Sequence, residues 1–277
     1  MNANVTYAWL MLLSIIACLQ KVNGNYAPDY GDTPLQVAVR NKDVDLVKSL
    51  LSNGNDVKAT NDFEETALMI AAGDGSAKMI ELLLPNSNVN ATDYFGNTAL
   101  MLAAVSGNEK SLELLLPNSD VKATDRNGFT TLMGAAMSTN EKCVELLLPN
   151  SDAEAANNRG YTALMYAARY GNEKSVELLL PNSNAKATNK YGETALMLAN
   201  WNEKSVKLLL PMSDVKASNN RGYTALMYAA ARGNEKSVKL LISNSDVKAT
   251  DKYGNTALDI AKEYGYNQIA RLLQQEN

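Results

Sequence analysis

The chain of 277 residues contains no histidine, and that absence decides much of the chemistry open to it. Ser-His-Asp and Cys-His nucleophiles, histidine-bearing zinc sites and the commonest general base near neutral pH are all removed. Thirty Asp and Glu residues remain. They recur at fixed intervals, as helix caps and solvated faces do, and no unique pair converges. A hydrolase built on carboxylates alone is the one catalytic class left open. Of the two cysteines, Cys143 takes a slot held by Ser111 and Ser175 elsewhere, which favours helix packing over thiol chemistry. A stripe of methionines (Met69, Met101, Met133, Met165, Met197 and Met227) invites a metal or cofactor reading, but core filling by a flexible side chain is favoured. Glycines recur singly and never build a phosphate loop. The expectation is a protein that is not an enzyme and carries no cofactor and no metal.

The elements behind these intervals come from one short sentence restated eight times. Its anchors are Thr33-Pro34-Leu35, Thr66-Ala67-Leu68, Thr98-Ala99-Leu100, Thr130-Thr131-Leu132, Thr162-Ala163-Leu164, Thr194-Ala195-Leu196, Thr224-Ala225-Leu226 and Thr256-Ala257-Leu258. They are spaced by 33, 32, 32, 32, 32, 30 and 32 residues. Such a period means a stack of repeats, not one globule around a central pocket. Each Thr stands where a helix N-cap belongs. A short apolar helix with small residues follows, as in Leu100, Met101, Ala103 and Ala104. Gly107, like Gly75, Gly171, Gly233 and Gly265, ends it in a left-handed conformation. Asn108, Asn140, Asn172, Asn202 and Asn234 then cap a second helix, with Glu next to complement its positive end. That helix carries Leu112, Leu114, Leu115 and Leu116 and is expected to stop at Pro117, as at Pro85, Pro149, Pro181 and Pro211. A glycine before most anchors permits a tight, projecting turn.

These motifs, such as Asn157 through Ala168 (NNRGYTALMYAA), resemble the ankyrin repeat, and the resemblance covers roughly residues 28–275. It implies an all-α solenoid of helix-turn-helix units with projecting β-turn fingers and no true sheet. The chain departs from the family pattern in places. The family's Pro is mostly Ala here, and its His is mostly Met, so the ties that the His normally makes between turns should give way to apolar packing. Glu64 replaces the turn glycine in the second repeat, and Thr139 replaces the helix-ending glycine in the fourth. The sixth repeat reads Asn200-Trp201-Asn202 between Ala199 and Glu203 and is two residues short. The loss should be absorbed by a shorter first helix with Trp201 covering the gap, which would make this the weakest point of the stack. Polar end faces are expected from Gln36, Arg40, Lys42, Asp43 and Asp45 at the start, and from Asp259, Lys262, Glu263, Gln268 and Arg271 at the end. The array therefore reads as complete, with no second domain.

Before the array, Val5 to Leu19 is an uncharged, largely apolar run of 15 residues, short of the ~20 that span a bilayer. It resembles the core of a secretory signal with cleavage after Gly24, although no Lys or Arg precedes it. Ile15-Ile16-Ala17-Cys18 is similar to the lipobox of bacterial lipoproteins and makes Cys18 a candidate lipid anchor, although that family prefers Leu first and basic residues upstream. The expected boundaries are 1–24 for the signal-like segment and 25–277 for the array, with repeats starting near 28, 61, 93, 125, 157, 189, 219 and 251. An exported protein is expected: secreted, periplasmic or tethered to a membrane. Removing the segment with Lys21 leaves 25 basic against 30 acidic residues, a net charge of −5. A chain of that sign has no global attraction for nucleic acid or anionic lipid.

Two function classes follow: a module that binds a partner protein through the concave face of fingers and first helices, or a membrane-tethered structural or envelope scaffold. For the first, the resemblance maps recognition onto fingertips carrying Tyr94, Phe95, Arg126, Phe129, Arg159, Tyr161, Lys190, Tyr191, Arg221, Tyr223, Lys252 and Tyr253. The first-helix ends add Arg169, Tyr170 and Arg232. Aromatic and Arg side chains dominate binding hot spots, and their recurrence in an acidic chain points to an acidic or extended protein segment as partner. No nucleic acid or small-molecule substrate is expected, and a monomer is.

Overall fold

The computed structural model describes residues 31–276; the signal-like segment and Cys18 lie outside them. Sixteen α-helices form eight antiparallel pairs among the described residues. The first helices of the pairs are α1 (Pro34–Arg40), α3 (Ala67–Gly73), α5 (Ala99–Val105), α7 (Thr131–Met137), α9 (Ala163–Tyr170), α11 (Ala195–Leu198), α13 (Ala225–Ala231) and α15 (Ala257–Glu263). The second helices are α2 (Val44–Ser52), α4 (Ala77–Leu83), α6 (Glu109–Leu115), α8 (Glu141–Leu147), α10 (Glu173–Leu179), α12 (Glu203–Leu209), α14 (Glu235–Leu241) and α16 (Asn267–Gln275). The expected all-α stack is what forms. Strand pairing among the described residues is limited to isolated bridges at finger bases, such as Thr124 with Thr130. No helix among them is long and apolar enough to cross a membrane.

Helices this short are unstable alone in water, so local signals set their ends and stacking holds them. Each anchor threonine accepts a hydrogen bond at its hydroxyl from the backbone three residues on, as from Met101 to Thr98 at 3.3 Å. Within α5, Ala99, Leu100, Met101, Ala103 and Ala104 are fully buried, and Leu102 is half-buried. The six stripe methionines are buried core, and Met69 also accepts the Thr66 amide at its sulfur, 3.4 Å away. The second helices bury Leu112 and Leu115 and their equivalents. Ser111, Ser205 and Ser237 are buried beside them with hydroxyls that find no partner. Cys143 fills the same slot, where burial pushes its thiol up to about 11; the packing role stands.

Several details differ from expectation. The proline does not stop the second helix abruptly. α6 ends at Leu115 and the chain tightens into a 3-10 turn, Leu116–Asn118, with Pro at its start, where a missing N–H costs nothing. Gln36 is not part of a polar end face but is fully buried. It occupies the slot methionine takes later and donates to the carbonyls of Ala59 and Glu65 at 3.3 and 2.6 Å. The first repeat thus keeps a hydrogen-bonded tie. At Thr139 the exit from α7 is handled by Ser138, which stays extended and donates to the Ala135 carbonyl at 2.8 Å.

Two hydrogen-bond ladders run along the stack. In the fingers, an amide of each later repeat donates to a carbonyl of the one before: Tyr94 to Phe63, Arg126 to Phe95, Asn158 to Asn127, Lys190 to Arg159, Asn220 to Tyr191 and Lys252 to Arg221, at 2.8–3.0 Å. At the opposite edge, the asparagines expected only as caps also donate backwards. Asn108 reaches the Gly75 carbonyl at 3.2 Å, Asn140 reaches Gly107 at 3.0 Å and Asn202 reaches Gly171 at 3.1 Å. Asn172 spends its side chain wholly on this tie, to Ala136 and Ser138, and makes no cap bond.

The short sixth repeat is accommodated in its first helix. α11 has 4 residues against 7 in α13, and the indole of Trp201 rests on Gly171 and donates to the Arg169 carbonyl at 2.8 Å. Both ladders pass through: Asn234 donates to the Asn200 carbonyl at 3.2 Å. The deletion therefore thins the first-helix layer alone. It also leaves the buried Asn200 with a side-chain oxygen that has no partner.

Candidate protein-binding surface

Seven fingers each close on one Asn or Asp side chain, buried except at the half-buried Asn157. Asp93, Asp125, Asn157, Asn189, Asn219 and Asp251 each accept, at one oxygen, the backbone amides two and four residues ahead, at 2.7–3.0 Å. Asn61 does the same for Phe63 and Glu65. The turn this locks carries two residues at its tip and brings the fifth back underneath. The recurring Asn or Asp four residues ahead of each finger's last residue was the available signal, and sequence reasoning passed over it.

Burial raises the Asp125 carboxyl above the usual range, against the pull of its amide donors from Phe129 and Asn127. At Asp251 burial pushes the same way, but donors from Asn255, Tyr253 and Gly254 outweigh it and hold the carboxyl low. Four sister fingers use neutral Asn (Asn61, Asn157, Asn189 and Asn219) for the same bonds. Asp125→Asn is therefore expected to stabilise the protein by about 1 kcal/mol near neutral pH by removing a desolvated charge. The gain should shrink as pH falls through the raised pKa, because the wild-type carboxyl then sheds its charge in the folded state more readily than in the unfolded one. Urea melts at about pH 7 and pH 4 check this; a loss of stability at neutral pH would contradict it.

Of the expected site residues, Tyr94, Phe95, Arg126, Arg169, Tyr170, Lys190, Tyr191, Arg221, Arg232, Lys252 and Tyr253 are exposed. Tyr253 is the most open, at 84 %. Arg159 and Tyr223 are half-buried. Phe129 and Tyr161 are not at the tips at all: they are 5 % and 7 % exposed. Both occupy the fifth finger position, which turn closure folds inward onto α9, where each ring centroid lies 5.4 Å from that of Tyr166. Between neighbouring tips, the Arg126 guanidinium lies 4.7 Å over the Tyr94 ring, which meets Phe95 edge-on.

Beneath the fingers lies a polar cluster that sequence reasoning did not single out. Glu193 accepts from Asn189 at 2.8 Å, from Tyr228 at 2.7 Å and from Tyr161 at 3.3 Å. Asn219 donates to Tyr228 at 2.9 Å and Arg169 to Tyr161 at 3.2 Å. Burial, with Glu193 adding to it, pushes the Tyr161 and Tyr228 phenols up. They therefore stay protonated as donors. The cluster ties three successive repeats together beneath their fingers.

Charge is arranged differently on the two sides. On the second helices, Lys78, Lys110, Lys142 and Lys174 pair with Glu81, Glu113, Glu145 and Glu177 at 2.6–3.0 Å. Lys204 and Lys236 pair with Glu173 and Glu203 of the preceding repeat. At the tips, Arg126, Lys190, Arg221 and Lys252 form no ion pair among the described residues.

A family model described as "Ankyrin repeats (3 copies)" matches residues 35–126, 114–191, 132–219 and 196–277. No curated protein matches the sequence significantly.

Proposed function

The chain belongs to the ankyrin-repeat family, whose repeats are typically protein–protein interaction modules and generally non-enzymatic, and from that premise we propose that it binds an acidic, extended segment of a partner protein along its fingertips. The observation that carries this reading is the row of tip cations, Arg126, Lys190, Arg221 and Lys252, exposed and without carboxylate partners among the described residues. The lysines at the start of the second helices are already matched by glutamates, so that face has little charge to offer. Exposed aromatics between the cations, Tyr94, Phe95, Tyr191 and Tyr253, supply rigid apolar area at low entropic cost. The absence of histidine fits a role without catalysis, and the protein acts as a monomer.

Reversing all four tip charges to Glu should weaken an acidic decapeptide at least tenfold, since each exposed charge contributes about 0.5–1 kcal/mol, and should flatten the salt dependence of binding. Unchanged affinity in a variant with wild-type helical signal would place the site elsewhere.

Export through residues 1–24 belongs to the same proposal, on the strength of the apolar run from Val5 to Leu19. Fractionation of the full chain tests it: recovery outside the cytoplasm supports export, and full cytoplasmic retention overturns it. Membrane partition that Cys18→Ser abolishes would favour the tethered scaffold.

A further inference from the structure

The deletion in the sixth repeat opens a notch at the edge of the stack opposite the fingers. α11 ends at Leu198 while α13 runs on to Ala231, so the last turn of α13 lacks a helical counterpart on the repeat-six side. Trp201 stands where Gly171 and Gly233 stand in the adjoining repeats. It is held firmly, by the bond to Arg169 and by contact so close to Gly171 that an added Cβ there would lie within 2.6 Å of two of its ring atoms. Even so, 45 % of it is exposed.

Between this indole and the start of α14 lies an open cavity of about 630 Å³, whose charged walls are Arg232, Glu235, Lys236 and Lys239. Lys239 is matched by Glu235 at 2.5 Å and Lys236 by Glu203 at 3.2 Å. Arg232 is exposed and has no ion pair among the described residues. The notch thus offers one uncommitted guanidinium, a surround whose lysines are balanced by Glu203 and Glu235, and a fixed aromatic wall.

We propose that this notch is a second anchor point, receiving a carboxylate side chain on Arg232 and an adjacent apolar side chain on Trp201 from an acidic protein segment. The inference rests on the reading of the array as a binder of such a segment and adds a site away from the tips. A guanidinium fork takes a carboxylate through two parallel bonds, and the indole face takes apolar area that would otherwise meet water. The first helix between the notch and the finger base spans roughly 10 Å at 1.5 Å per residue. An extended decapeptide reaches about 33 Å, so one segment can pass the helix and the projecting finger and engage both. No other repeat can form the site, because a full-length first helix fills the space.

The test uses the full chain with Trp9→Phe, leaving Trp201 as the sole tryptophan. The probe is a glutamate decapeptide with one central Phe, its lysine counterpart serving as control, and binding is read by peptide anisotropy and by Trp201 emission. The expected result is a saturable change in emission with the acidic peptide alone and a Kd at least tenfold higher in Arg232→Ala. If the acidic peptide binds while emission and the Arg232→Ala affinity stay unchanged, the notch is overturned and the tip reading stands. If Arg232→Ala weakens binding but reversal of the four tip charges does not, the notch stands and the tip reading falls. No binding of the acidic peptide by either readout overturns both.

Discussion

Gly222→Ala should destabilise the protein by about 2–4 kcal/mol, while Gly254→Ala, one finger further on, should cost only about 1–2 kcal/mol. Both glycines are left-handed, at φ +81° and +84°, so both substitutions carry the same conformational penalty. What differs is the neighbour. A Cβ on Gly222 would sit 2.9 Å from the Asp251 Cα and 3.0 Å from the Lys252 amide nitrogen, whereas nothing lies within 4 Å at Gly254. Backbone cannot step aside as a side chain can, and the same amide makes the ladder bond to Arg221. Relieving the clash therefore breaks an inter-repeat tie. Denaturant unfolding of the two variants side by side isolates the ladder from glycine's conformational freedom; equal losses would mean that fingers do not hold repeats together.

Leu132→Ala is expected to cost about 3–4 kcal/mol, since the side chain is fully buried in α7 and its removal leaves a cavity between stacked helices. The more telling consequence is where the loss appears. In a one-dimensional stack each repeat is held by its two neighbours alone, so hydrogen-exchange protection should fall first across residues 125–156 and leave the flanking repeats to unfold as separate blocks. A uniform drop across residues 33–275 would contradict nearest-neighbour stabilisation.

The fold was legible because its signals are local and repeated. A threonine cap needs only the amide three residues on, and all eight form. The role of Trp201 could be reasoned from the length of its repeat. The site was legible only in part, because burial of a finger residue depends on how the turn closes. Phe129 and Tyr161 look like Tyr94 and Tyr191 in type, but the bonds their amides donate to the Asp125 and Asn157 side-chain oxygens turn the fifth finger position inward. The Glu193 cluster joins residues 161, 189, 193 and 228 across three repeats, a juxtaposition that spacing within one repeat cannot reveal. The asparagine ladder was half seen: the cap was read from the first oxygen, and the backward donation of the amide was not.

Photo-crosslinking from the tips tests the central claim most directly. A benzoyl-phenylalanine placed in turn at Tyr94, Tyr191 and Tyr253, and as controls at Lys110, Lys174 and Lys236 on the second helices, would be irradiated with the native partner bound and the crosslinked peptide sequenced. Crosslinks are expected from the three tip positions to one segment rich in Asp and Glu, and few from the controls. Crosslinks confined to the second-helix positions, or tip crosslinks to a basic segment, would contradict it.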